Sequence, residues 1–165
     1  MTAPKKASSI DPKLDLVLER TVDIRPGLVW DAWTKPEHIV HYFTPKPWET
    51  PECRVDLRPG GEFYFLMRSP EGEEFPNTCC YLEIEPGRKL VWTNVLGAGY
   101  RPASLSAEDL AMTATILIEP QGKGTKYTAI AQHRSEADVT RHEEMGFHDG
   151  WSTVVDQLVA YMKSL

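Results

Sequence analysis

Two hydrophobic periods divide this chain. Two-residue alternation marks Leu14–Ile24, Cys53–Leu57, Glu62–Arg68, Thr78–Glu85, Lys89–Leu96, Met112–Glu119 and Thr125–His133 as strands. Short Gly- and Pro-bearing turns separate several of them, at Arg58-Pro59-Gly60-Gly61, Ser69-Pro70-Glu71-Gly72, Pro86-Gly87 and Gln121-Gly122-Lys123-Gly124. Thr44–Pro51 holds three prolines and reads as a loop. Ala98–Leu110 reads as a longer Gly/Pro/Ser loop, with room for one helical turn near its end.

Helical spacing appears in three places. Pro26 opens a segment in which Val29, Trp30 and Trp33 recur at helical intervals, and Pro36 opens a second short helix through Phe43. One long helix is expected from Ser135, which precedes Asp138 by three residues as in a capping box. Its apolar stripe is Trp151, Val154, Val155, Leu158, Met162 and Leu165. Gly146 and Gly150 fall inside it, and each interior glycine costs about 1 kcal/mol relative to alanine. Beside Phe147 and Trp151, they suggest a bend or a close backbone approach, and a helix shaped as a cavity wall.

The order is strand, two short helices, about six strands, then a long helix. That order predicts an α+β fold, with one curved antiparallel sheet covered by the last helix. Space between a curved sheet and one helix is where small ligands bind. The polar segment 1–13 is expected to be a flexible tail and 14–165 a single domain.

Bulk properties narrow the partners. The 165 residues carry 18 Lys and Arg against 24 Asp and Glu, a net charge of -6, which argues against nucleic acid or an anionic membrane surface. No apolar run is long enough to span a bilayer, and the N-terminus lacks the apolar segment of a signal peptide. Cys53, Cys79 and Cys80 form no disulfide framework or zinc spacing and read as free thiols. These features together predict a cytoplasmic protein.

The candidate lining of the internal space follows from strand phase. Phe63, Phe65 and Met67 share one face, joined by Leu90 and Trp92, by Tyr127, and by Phe147 and Trp151 from the helix. Trp30 and Tyr81 complete the set. Plain core packing is the competing reading, since large rings fill cores and pockets alike. Glu83 falls in phase with Cys79 and Tyr81, so it is a candidate inward carboxyl, with a raised pKa and a general acid–base role. The alternatives are a structural hydrogen bond or an outward side chain. Among five histidines, His133 is the second catalytic candidate, and one or two are expected to be hydrogen-bonded at the cavity mouth or the helix bend. His142-Glu143 with His148 misses the HExxH spacing, because position 146 is Gly, and no metal or cofactor is predicted. With Glu83 and His133, Tyr81 and Asn94 are the polar groups that would orient a bound molecule.

Four segments together resemble a known family: ERTVDIRPGLVWDAWTKPEHIVHYF (19–43), DLRPGGEFYFLMRSPEGEEFPN (56–77), YLEIEPGRKLVWT (81–93) and HEEMGFHDGWSTVVDQL (142–158). The chain resembles the SRPBCC or START-like helix-grip superfamily, and within it the heat-shock-protein-90 ATPase activator homologues. The resemblance implies a seven-stranded antiparallel sheet gripping the C-terminal helix around a hydrophobic cavity. It implies no single function, because relatives include lipid carriers, metabolite binders, polyketide cyclase-like enzymes and co-chaperone domains. The leading expectation is binding of a small apolar or aromatic molecule in that cavity. The alternatives are a cavity-based enzyme of cyclase, dehydratase or hydrolase type, or a module that stimulates a chaperone ATPase. A homodimer and a chaperone contact stay open as partners.

Overall fold

A computed structural model describes residues 10–165, and most of the expected tail lies outside the described residues. The alternating segments form β1 (Asp15–Val22), β2 (Glu49–Val55), β3 (Glu62–Arg68), β4 (Glu74–Glu85), β5 (Lys89–Thr93), β8 (Met112–Gln121) and β9 (Gly124–His133). They pair antiparallel in the order β1-β9-β8-β5-β4-β3-β2. The first and last strands of the sequence are thus neighbours, and the other end of the sheet is built by the β2–β3–β4 meander. Two-residue strands β6 (Leu96–Gly97), just before the long loop, and β7 (Arg101–Pro102), within it, pair with each other. Residues 107–109, expected to make a helical turn, instead form a turn in which the Asp109 carboxylate accepts from the Ser106 N–H at 2.8 Å.

Helices α1 (Pro26–Thr34) and α2 (Pro36–Tyr42) connect β1 to β2, each with proline in its first turn, where no N–H partner is needed. Val29, Ala32 and Trp33 turn one face of α1 into the core, and Ile39 and Tyr42 do the same for α2. Together with α4 (Phe147–Lys163), these helices pack against the sheet face carrying Phe63, Tyr81, Leu90, Trp92 and Tyr127.

The expected single C-terminal helix is two. α3 (Glu136–Glu144) starts as the sequence indicates, with the Ser135 hydroxyl accepting from the Asp138 N–H. It stops at Met145, and Gly146 adopts φ 95°, ψ 37° before α4 begins. That left-handed conformation suits a glycine and ends one helix rather than sitting inside it. Gly150 does belong to a helix, but nothing approaches it: a Cβ there would meet no atom within 4 Å. Close backbone approach therefore explains neither glycine.

Two side chains, Arg20 and Gln157, anchor α4 to β1 and to the end of α2. Arg20 of β1 donates to the Ser152 hydroxyl and to Asp156, both at 2.6 Å. The Gln157 amide donates to the carbonyls of Tyr42 and Thr44 at 2.9 and 2.8 Å, and its oxygen accepts from the Lys46 N–H. β8 and β9 carry the fully buried Ala114, Ala129 and Ala131 on one face of the sheet. Leu16 and Ala131, cross-strand partners on β1 and β9, form a second core cluster with Val139 and Phe147. No helix of the described residues is long and apolar enough to cross a membrane.

A candidate ligand cavity under the C-terminal helix

Between the sheet and α4 lies a cavity of about 600 Å3. The sheet supplies Phe65, Met67, Cys79, Trp92 and Tyr127, α1 supplies Trp33, and the helical side supplies Phe147, Gly150, Trp151 and Val154. The four α4 positions follow i, i+3, i+4 and i+7 spacing, so one stripe of that helix faces the space. Gly150 is the position in that stripe that fills none of it. The exposed residues Pro76, Thr78, Asp109 and Met145 also border the cavity, which therefore reaches solvent.

The long loop forms one rim through Ala103, Leu105 and Leu110. It is held by Arg134, which lies between β9 and α3, and by Arg141 of α3. Arg134 donates to the carbonyls of Ser106, Ala107 and Asp109, and Arg141 donates to that of Glu108. Asp138, buried between the two arginines, accepts from both at 3.1 and 3.5 Å. The Asn94 amide donates to the Leu110 carbonyl and accepts from the Met112 N–H, tying the same loop to the end of β5.

The polar groups near the cavity are few. Trp33 Nε1 and the Tyr81 hydroxyl are sealed from solvent without partners among the described residues. Burial raises the Tyr81 and Tyr127 pKa values well above the ordinary phenol range, so both rings stay neutral. The Tyr127 hydroxyl is close enough to Trp33 for its N–H to ease that rise, but its geometry falls short of a hydrogen bond. Burial likewise pushes the Cys79 thiol up to about 12, and it meets the cavity as an apolar group, not as a nucleophilic thiolate.

Histidine provides the most organised polar feature. His133 Nδ1 lies 3.0 Å from the Leu14 carbonyl, which can only accept, so that nitrogen carries a proton. In a neutral His133 ring Nε2 is then the acceptor, and His142 Nδ1–H donates to it across 2.8 Å. The lone pair of His142 is thereby assigned to Nε2. His142 is 6% exposed and borders the cavity, flanked edge-on by Phe147 and Trp151. Burial first, then the neighbouring His133 and His148, pushes its pKa down to about 4. Among the described residues, no group of three His, Cys, Asp or Glu could hold a metal ion.

Residues 23–163 match the family model for activator of Hsp90 ATPase homolog 1-like protein. The chain belongs to this family. A crystal structure of a Nitrosomonas europaea protein is similar, with 47% identity over 94% of this chain and 97% of that one, at TM-score 0.90. The same fold occurs in an Arthrobacter aurescens protein (21% identity, 96% and 92% coverage, TM-score 0.79). It occurs again in an activator-homolog-like protein of Aeromonas hydrophila (18% identity, 92% and 93% coverage, TM-score 0.68). Among curated proteins, none matches the chain significantly. This family member thus carries the helix-grip architecture expected of it, with seven antiparallel strands and a C-terminal helix.

The structure brings Phe65, Met67, Trp92, Tyr127, Phe147 and Trp151 together around the cavity. Phe63, Tyr81 and Leu90 are fully buried beside it, Phe63 stacking on Tyr81 at 5.4 Å and meeting Trp92 edge-on at 5.5 Å. Trp30 packs against the core, and the lining tryptophan of α1 is Trp33. Glu83 does not point inward. β4 carries one extra residue at Leu82, since Tyr81 pairs with Trp92 but Glu83 with Val91. The bulge reverses the phase, so Ile84 packs on the core while Glu83 faces solvent and pairs with Lys89 at 3.2 Å. His133 does not border the cavity itself but stands behind His142, which does. Trp33 was passed over as lining, whereas the expectation of a hydrogen-bonded histidine at the cavity mouth or helix bend is met by His142, bonded to His133. The signal for Trp33 was available in its i+4 relation to Val29.

Proposed function

We propose that this protein binds a small, largely apolar molecule in the cavity between the sheet and α4. The observation that carries this reading is the cavity's size and lining. About 600 Å3 falls inside the roughly 300–1,000 Å3 range of ligand pockets, and aromatic rings from the sheet, α1 and α4 surround it. Recognition would rest on shape and on apolar burial, at about 25 cal/mol per Å2 removed from water. A fold shared by carriers and enzymes does not choose between them, so the reading rests on the site.

The enzyme reading loses its carboxyl, because Glu83 lies on the outer face of the bulged strand. The chaperone role named in the family's description is a separate reading, tested by stimulation of a purified Hsp90 ATPase. Native mass spectrometry of gently purified protein tests the ligand reading. A retained small-molecule mass lost on unfolding is the expected result. No adduct, together with no binding of apolar probes such as methylnaphthalene, would overturn it.

A further inference from the structure

From the histidine pair we infer that His142 is a binding residue, accepting a hydrogen bond at Nε2 from a hydroxyl or N–H group on an uncharged aromatic ligand. The inference deepens the cavity reading and rests on it. It begins with direction. The Leu14 carbonyl fixes the proton on His133, His133 fixes the proton on His142, and the remaining lone pair of His142 has no partner among the described residues. Unlike Trp33 Nε1 and the Tyr81 hydroxyl, that nitrogen is not sealed within the protein. It belongs to a residue on the cavity wall, so an entering molecule reaches an acceptor already oriented.

The rest of the lining defines the ligand's class. No Lys or Arg borders the cavity, so a carboxylate or phosphate headgroup meets no cation there. His142 offers a lone pair and not a proton, which further disfavours an anion. Its low basicity keeps it neutral near pH 7 and makes it an acceptor from a phenol-type hydroxyl, not a base that removes the proton. Phe147 and Trp151, which flank the His142 ring, also border the cavity and give a ring-shaped ligand body aromatic surface beside the acceptor. His133 is then a positioning residue, acting through the tautomer of His142.

Three matched probes test this: naphthol, methylnaphthalene and naphthoate, titrated into the full chain near pH 7. Naphthol is expected to bind about fivefold to tenfold more tightly than methylnaphthalene, the increment of one net hydrogen bond, and naphthoate most weakly. Nitrogen NMR is expected to show His142 Nε2 unprotonated and shifting on addition of naphthol but not of methylnaphthalene. His133→Phe, which removes the relay without touching the cavity wall, is expected to let the two His142 tautomers mix, so that the naphthol preference falls while methylnaphthalene binds as before. Equal affinity for naphthol and methylnaphthalene in the wild type, or a protonated Nε2, would overturn the role of His142 and leave the cavity reading standing. Failure of all three probes to bind, with no small-molecule mass retained by the protein, would overturn the cavity reading, and this inference with it.

Discussion

His133 and His142 share a hydrogen bond of 2.8 Å although one ends β9 and the other lies in the last turn of α3. The contact couples the end of the sheet to the bend before α4. Burial of His142, with His133 and His148 adding to it, also makes one titration a property of the folded state. Unfolded His142 binds a proton near pH 6.5, whereas in the fold its pKa is pushed down to about 4. The contribution of His142 to stability is therefore complete above about pH 6.5 and declines as pH falls toward about 4, because the unfolded state takes up the proton first. The loss approaches up to about 3 kcal/mol at about 1.4 kcal/mol per unit. Urea unfolding at several pH values checks this, and His142→Phe is expected to flatten the slope within that window.

Gly146 is required for its backbone conformation. Its φ of 95° is one that a side chain disfavours, so Gly146→Ala is expected to cost about 1–2 kcal/mol. A drop in the urea midpoint with unchanged slope is the expected reading. An unchanged midpoint would mean that the α3–α4 bend does not constrain this residue.

Glu83→Gln is expected to be nearly silent. The Glu83–Lys89 pair has a half-exposed carboxylate, and such pairs contribute about 0–1 kcal/mol. Ligand binding should be unchanged. Loss of binding with the fold intact would show that the outer face of β4 takes part in function.

The cavity rim depends on Arg134. Its guanidinium holds three carbonyls of the 106–109 turn, so Arg134→Ala removes the cross-link between the loop and α3. Hydrogen exchange of the Ser106, Glu108 and Asp109 amides should accelerate about fivefold, as for about 1 kcal/mol of lost local stability. Exchange at β8 and β9 should not change.

Much of this architecture was legible in the chain because the local signals agree with the fold. Alternation around Phe63, Phe65 and Met67 and the turn residues between strands gave the meander, and the first-turn prolines gave α1 and α2. Two features escaped for physical reasons. The β4 bulge at Leu82 has no Gly or Pro to mark it, so an unbroken alternation carried Glu83 to the wrong face. Gly146 was conspicuous, but a sequence cannot tell a glycine tolerated inside a helix from one that separates two helices. A hydrogen-bonded histidine near the bend was expected, but not which two would pair, because His133 and His142 meet only when β9 and α3 fold back on each other and no spacing rule encodes that meeting. The lining was partly legible, since alternation told which side chains turn inward but not which of them leave space.

Gly150 offers the most direct test of the central claim. A Cβ at this position meets nothing within 4 Å, so Gly150→Ala should fold normally and gain about 1 kcal/mol of helix stability. Gly150→Leu should also fold, but its side chain would occupy the cavity between Phe147 and Val154. Calorimetric titration of methylnaphthalene into wild type and Gly150→Leu is the measurement. Binding by the wild type that is lost in the folded leucine variant is the result predicted here. Equal binding by both proteins would contradict the account, because the apolar molecule would then be held somewhere other than beneath α4.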